Sequence, residues 1–98
     1  MATDVAGPLK VQDNVGKSRF ELPVEGHLAV LVYRQDGATI AFLHTEVPPP
    51  LGGRGLGSVL VHAALESARE RGLKVRPTCP FVRDYIQRNP QYASLVAG

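Results

Sequence analysis

Between Arg19 and Val47 apolar and polar residues alternate with the period of a strand, and from Arg54 to Arg71 the period lengthens to that of a helix. Within "RFELPVEGHLAVLVYRQDGATIAFLHTEV" two turn signals, Glu25-Gly26 and Asp36-Gly37, separate segments rich in β-branched and aromatic residues. The pattern predicts three antiparallel strands, Arg19 to Val24, Leu28 to Arg34 and Thr39 to Val47. Pro23 has no N–H to give a ladder, which puts the first of them at an edge or on a bulge. Weaker alternation upstream predicts a short edge strand around Lys10 to Asp13, followed by a turn at "NVGKS". Val30, Val32, Ile40 and Phe42 are all compatible with a covered sheet face.

In the helical stretch Leu56, Val59, Leu60, Ala63, Ala64, Ser67 and Ala68 share one face, with Glu66, Arg69 and Glu70 opposite. Val61 and Leu65 widen the stripe, so the helix is expected to be covered on more than one side. Gly72 follows it, where a left-handed residue is needed. "LKVRP" reads as a short buried strand that returns through this helical crossover and therefore pairs in parallel. "CPFVRDYIQRNP" reads as a second helix, entered through Pro80 and ended by Asn89-Pro90. "QYASLVAG" is a tail expected to pack Tyr92 and Leu95 back onto the fold. The sum is an α+β domain: a three-to-five-stranded, mostly antiparallel sheet with two main helices.

A chain of 98 residues has room for one core. A net charge of +2 argues against an extended nucleic-acid surface and leaves open a local basic pocket for a phosphorylated ligand. No aromatic stacking pair or basic stripe points to RNA. The longest apolar run, "LAVLVY", is too short to span a bilayer, and the start carries no signal-peptide pattern. With one cysteine and no internal disulfide possible, the expected location is the cytoplasm, and the expected state is a monomer.

"EVPPPLGGRGLGS" joins the last predicted hairpin strand to the helix. Pro48, Pro49 and Pro50 cannot continue a ladder past Val47, so the sheet must open there. Gly52, Gly53, Gly55 and Gly57 then strip the side chains from a helix entrance, where unpaired N–H groups and the dipole favour a phosphate or pyrophosphate. The alternative is a surface loop whose glycines serve turn geometry alone. "GKS" at residues 16–18 is not a phosphate loop, because Val11 stands where that motif needs its first glycine.

On these residues a resemblance can be named. "HTEVPPPLGGRGLGSVLV" resembles the acetyl-coenzyme A loop of the GNAT superfamily of N-acetyltransferases. "KVRPTCPFVRDYIQRNPQY" resembles the short, single-domain GNAT-like branch, and the match runs from Phe20 to Val96. The resemblance implies acetyl-CoA as cofactor and an amine as acceptor. It implies a slot between Thr39–Val47 and Lys74–Pro77, pyrophosphate on the amides of Gly53, Arg54, Gly55, Leu56, Gly57 and Ser58, and the Val47 N–H on the thioester carbonyl. Gly52 stands where the superfamily has Gln or Arg; Arg54 is the nearest replacement. Asn89 either caps the last helix or reaches the pantetheine arm. The resemblance also assigns Cys79 and His44 to the active site.

Read from the residues alone, Cys79 precedes a helix, a position at which thiols serve as nucleophiles, or it is a small core residue. His44 borders the slot and is either a general base or a histidine bonded within the sheet. Glu46, two residues on, orients His44, acts as a base, or is a solvated strand end. His27 and His62 have no partners at metal-ligand spacing, so no metal site is expected. Arg83 and Arg88 read as solvated helix residues. Two functions follow: acetyl transfer from acetyl-CoA to an amine, directly or through Cys79, or a non-catalytic module that holds (acyl-)CoA.

Overall fold

The computed structural model describes residues 9–97. Five strands form one sheet in chain order: β1 (Gln12–Asn14), β2 (Arg19–Val24), β3 (His27–Asp36), β4 (Thr39–Glu46) and β5 (Lys74–Pro77). The first four are antiparallel, and β5 joins β4 in parallel after the crossover helix α1 (Leu56–Glu70). Helix α2 (Pro80–Arg88) follows β5, and a 3₁₀ segment, Pro90–Leu95, brings the tail back. No helix among the described residues is long and apolar enough to cross a membrane.

Local chemistry explains where these bounds differ from the sequence expectation. The edge strand lies at Gln12–Asn14 because the Asn14 side chain accepts a hydrogen bond from the Lys17 N–H at 3.2 Å and closes a 3₁₀ turn after it. Strand β3 starts at His27, since Glu25 and Gly26 both take positive φ (51° and 79°). Such a two-residue turn matches the twist of its strands, so Val24 pairs directly with His27. Strand β4 stops one residue short, at Glu46, and Pro49–Leu51 forms a second 3₁₀ turn.

Helix α1 buries Leu56, Leu60, Val61, Ala64, Leu65 and Ala68, while Val59, Ala63 and Ser67 are only half covered. The covered stripe is therefore rotated toward Val61 and Leu65, because the helix packs against both the sheet and the returning tail. Its sheet partners are Phe20, Leu22, Leu31, Tyr33, Ile40, Phe42 and Val75, each worth about 1.5–3 kcal/mol when fully buried. Val30 and Val32 lie on the other face and do not share it with Ile40 and Phe42: Val32 pairs with His44, whereas Tyr33 pairs with Phe42. The tail packs as expected, with Tyr92 1% exposed and Ala97 N–H donating to the Val75 carbonyl at 2.8 Å.

Candidate active site

Between the Tyr33–Phe42 and Val32–His44 pairs the ladder slips by one residue, so Leu43 is an extra residue in a β-bulge. Strict alternation would put Phe42, His44 and Glu46 on one face. The bulge reverses the parity: Thr45, opposite Leu31, now shares the helix-side face with Phe42, and His44 and Glu46 point to the helix-free face.

The same slip re-aims the backbone. The Phe42 carbonyl accepts from the Cys79 N–H at 2.8 Å, so its polar groups face β5. By the alternation of the ladder Thr45 does likewise, and Val47 continues that direction. Strand β5, however, leaves the sheet after its Phe42–Pro77 pair, and the chain turns into α2. Past Phe42 the two strands splay, leaving the backbone of Thr45 and Val47 to line a slot.

On the helix side the slot opens into a cavity of about 360 Å³ lined by Thr45, Val47, Gly55, Leu56, Gly57, Ser58 and Phe81. Gly55 caps α1 with φ +74° and no side-chain cap, so the N–H groups of Leu56, Gly57 and Ser58 have no partner among the described residues. A Cβ on Gly57 would come within 2.9 Å of the Phe81 ring. Bare amides, a missing Cβ and an apolar ring suit a pyrophosphate with a thiol-bearing arm beside it, so these residues fit coenzyme A.

Gly52, Gly53 and Arg54 lie outside this lining. The Gly52 N–H is bonded to the Pro49 carbonyl at 3.1 Å. The Arg54 guanidinium makes a bidentate pair with Glu25 at 2.8 and 3.1 Å, and that bond holds the Glu25 carboxyl below its usual range. Asn89 caps α2, its side-chain amide donating to the Tyr85 carbonyl at 2.8 Å.

Cys79 occupies the N-cap position of α2 and is 4% exposed. Its Sγ lies 3.6 Å from the Thr45 hydroxyl. The first turn of α2 supplies the N–H groups of Phe81 and Val82, which lack helical acceptors. His44 and Glu46 are paired with each other, Nε2 to Oε2 at 3.5 Å, and both are exposed. The sheet separates them from Cys79, so the two groups of expected site residues meet the slot from opposite sides.

A second hollow of about 450 Å³, lined by Leu28, Thr45, Glu46, Val47, Pro48 and Pro49, opens on the face that His44 and Glu46 share. Thr45 and Val47 line both cavities and form the wall between them. Thr45 and Phe81 are the site residues the sequence reading missed. The only local signal for either is adjacency, Thr45 to His44 and Phe81 to Cys79-Pro80.

A splayed strand pair beside a donor-lined helix entrance is a geometry suited to a phosphorylated ligand. The family model for the GCN5-related N-acetyl-transferase matches residues 19–95. Protein NATD1 of mouse (Mus musculus) is 36% identical over 92 residues, covering 91% of this chain and 84% of that one. Human (Homo sapiens) protein NATD1 is 36% identical over 86 residues, covering 85% and 76%. A GCN5-like protein of Staphylococcus aureus, solved by NMR, superposes with a TM-score of 0.71 at 30% identity, covering 95% of this chain and 92% of that one. The chain belongs to the GCN5-related N-acetyltransferase family. Its fold is the one expected from the GNAT resemblance, and its class is that of an N-acetyltransferase.

Proposed function

We propose that the chain works as one cytoplasmic domain that transfers the acetyl group of acetyl-CoA to a primary amine, by way of Cys79. The observation that carries this reading is the splay of β4 from β5 past Phe42, with Cys79 on one side of the slot and the bare entrance of α1 at its end.

The amides of Leu56, Gly57 and Ser58 hold the pyrophosphate, and Phe81 packs against the arm that follows. The Val47 N–H polarises the thioester carbonyl and stabilises the oxyanion as it forms. Cys79 gives its proton to the leaving coenzyme A thiolate by way of Thr45; the sulfur attacks the carbonyl carbon, the old C–S bond breaks and a new one forms. An amine entering from the helix-free face then attacks the same carbon. His44, oriented by Glu46, takes the ammonium proton and passes it to solvent, while the Cys79 sulfur leaves as a thiolate and takes up one proton from solvent by way of Thr45.

Intact-protein mass spectrometry after mixing with acetyl-CoA tests this. The expected result is one acetyl group on the wild type and none on Cys79→Ala, with release of free coenzyme A thiol. An unmodified wild type that still turns over amines would leave direct transfer in a ternary complex. Tight retention of the ligand without turnover of a broad amine panel would make the protein an acyl-CoA-binding module.

A further inference from the structure

We infer that the acceptor is a primary amine with a carboxylate about 10 Å from its nitrogen, held on the helix-free face of the sheet by Arg34 and Arg76. The inference rests on the acetyl-transfer reading and names the acceptor for it.

Arg34, Ala41 and Arg76 stand in one row across β3, β4 and β5. Residues opposite one another in a sheet share a face, so both guanidiniums rise from the same side with only a methyl group between them. The result is a hollow of about 240 Å³ lined by Arg34, Asp36, Thr39, Ala41 and Arg76. Neither guanidinium forms an ion pair with a described carboxylate, whereas Arg19, Arg54, Arg69, Arg71 and Arg88 all do. Strands two apart are separated by about 10 Å, a span that two arginines can close around one carboxylate.

The next row, Asp36, Thr39 and Lys74, decides which anion fits. Thr39 offers a hydroxyl, and Lys74 is turned away to the Ser94 carbonyl at 3.2 Å. Asp36 sets a negative charge at the rim, which disfavours a phosphate dianion more than a singly charged carboxylate.

From the Arg34–Ala41–Arg76 row to the Leu31–Thr45 pair is three residues along β3, about 10 Å. There the same face carries the Glu46 carboxylate, the His44 imidazole and the hollow in front of Val47. One end of the face thus attracts an ammonium group and takes its proton, while the other attracts a carboxylate. A dipolar acceptor laid along β4 would meet both and bring its nitrogen to the slot.

The test is binding, read independently of turnover. Two peptide amides, Gly-Ala-Ala-Asp and Gly-Ala-Ala-Asn, are titrated into the isotope-labelled full chain with coenzyme A present. The Asp peptide is expected to shift the amides of Arg34, Ala41 and Arg76 and to bind about fivefold or more tightly than the Asn peptide. Changing Arg34→Gln together with Arg76→Gln should remove that preference and leave coenzyme A affinity unchanged. Equal binding of the two peptides, or shifts confined to other surfaces, would overturn the proposal, and tighter binding of a phosphoserine analogue would overturn the carboxylate assignment. An Asp peptide that binds at the arginines but is never acetylated when acetyl-CoA replaces coenzyme A would instead overturn the acetyl-transfer reading and leave this site standing as a binding site.

Discussion

The Cys79 thiol lies 3.6 Å from the Thr45 hydroxyl, and Thr45 turns away from its chain neighbour His44 across the plane of the sheet. A thiol that is 4% exposed cannot lose its proton directly to bulk water, and the Thr45 hydroxyl, both donor and acceptor, is its side-chain partner. Thr45→Val keeps the shape and removes the oxygen. We expect it to slow acetylation of Cys79 about tenfold with a stability change within about 1 kcal/mol, while Thr45→Ser stays near wild type. Time-resolved intact-mass measurements check this; an unaltered rate in Thr45→Val would remove the hydroxyl from the reaction.

Gly57 and Phe81 face one another across the mouth of the helix-side cavity. A Cβ at residue 57 would meet the tip of the Phe81 ring at 2.9 Å, and because that ring is partly exposed it can swing without disturbing the core. Gly57→Ala should therefore change stability by less than about 1 kcal/mol, yet weaken coenzyme A binding about tenfold by driving the ring into the cavity. Adding Phe81→Ala should recover part of that loss. Calorimetric titration of the three variants decides it, and a Gly57→Ala protein of native affinity would remove the cavity as the coenzyme site.

Gly53 and Gly55 both take positive φ, +80° and +74°, with open space where a Cβ would point. Substitution by Ala at either should cost about 1–2 kcal/mol through backbone strain alone. Only Gly55 lines the cavity and caps α1, so Gly55→Ala should also weaken coenzyme A binding several-fold, while Gly53→Ala leaves it nearly unchanged. Parallel losses of affinity in the two variants would mean that the loop acts as a unit rather than through the helix entrance.

Arg54 is withheld from the phosphate site by Glu25, which lies on the tight turn between β2 and β3. The pair is solvent-exposed and screened by water, so breaking it should leave stability nearly unchanged. Glu25→Gln would free the guanidinium beside the helix entrance and tighten coenzyme A binding about two- to fivefold at low salt, with the gain fading as salt rises. Arg54→Gln in the wild-type background should change affinity little. A large loss in Arg54→Gln would show that the arginine leaves Glu25 to grip the ligand.

The contrast between these residues also marks what could be read from the chain. Strand and helix periods are local properties, so Arg19–Val24 and the bodies of β3, β4, α1 and α2 were legible to within a residue or two, as was the shared face of His44 and Glu46. The bulge at Leu43 was not, because it exists only in the pairing of β4 with β3. That single extra residue puts His44 across the sheet from Cys79 and brings Thr45 to the thiol. Arg54 looked available for phosphate because its partner lies on a distant turn. Glycine spacing predicted a bare helix entrance but could not say that Gly55 to Ser58, without Gly52, Gly53 and Arg54, line the cavity.

All three tyrosines are held above the ordinary phenol value of 10. Burial raises Tyr33 to about 12, helped by its hydrogen bond to Asp13 at 2.6 Å. Burial likewise raises Tyr92 to about 12, helped by its 2.6 Å bond to Glu66, and burial raises Tyr85 as well. The folded chain thus favours the neutral phenols, and the stability this supplies is present below the unfolded value of about 10 and lost as pH rises toward about 12. An absorbance titration of tyrosinate should show no step at the ordinary value, then a rise between about 10 and 12 that coincides with loss of circular dichroism. Tyr92→Phe should cost about 1 kcal/mol at neutral pH by breaking the bond to Glu66, and should move alkaline unfolding to higher pH because one ionisation that drives it is gone. Tyrosinate appearing at the ordinary value with the fold intact would mean that the Tyr33 and Tyr92 hydroxyls are not held in their buried bonds to Asp13 and Glu66 in solution.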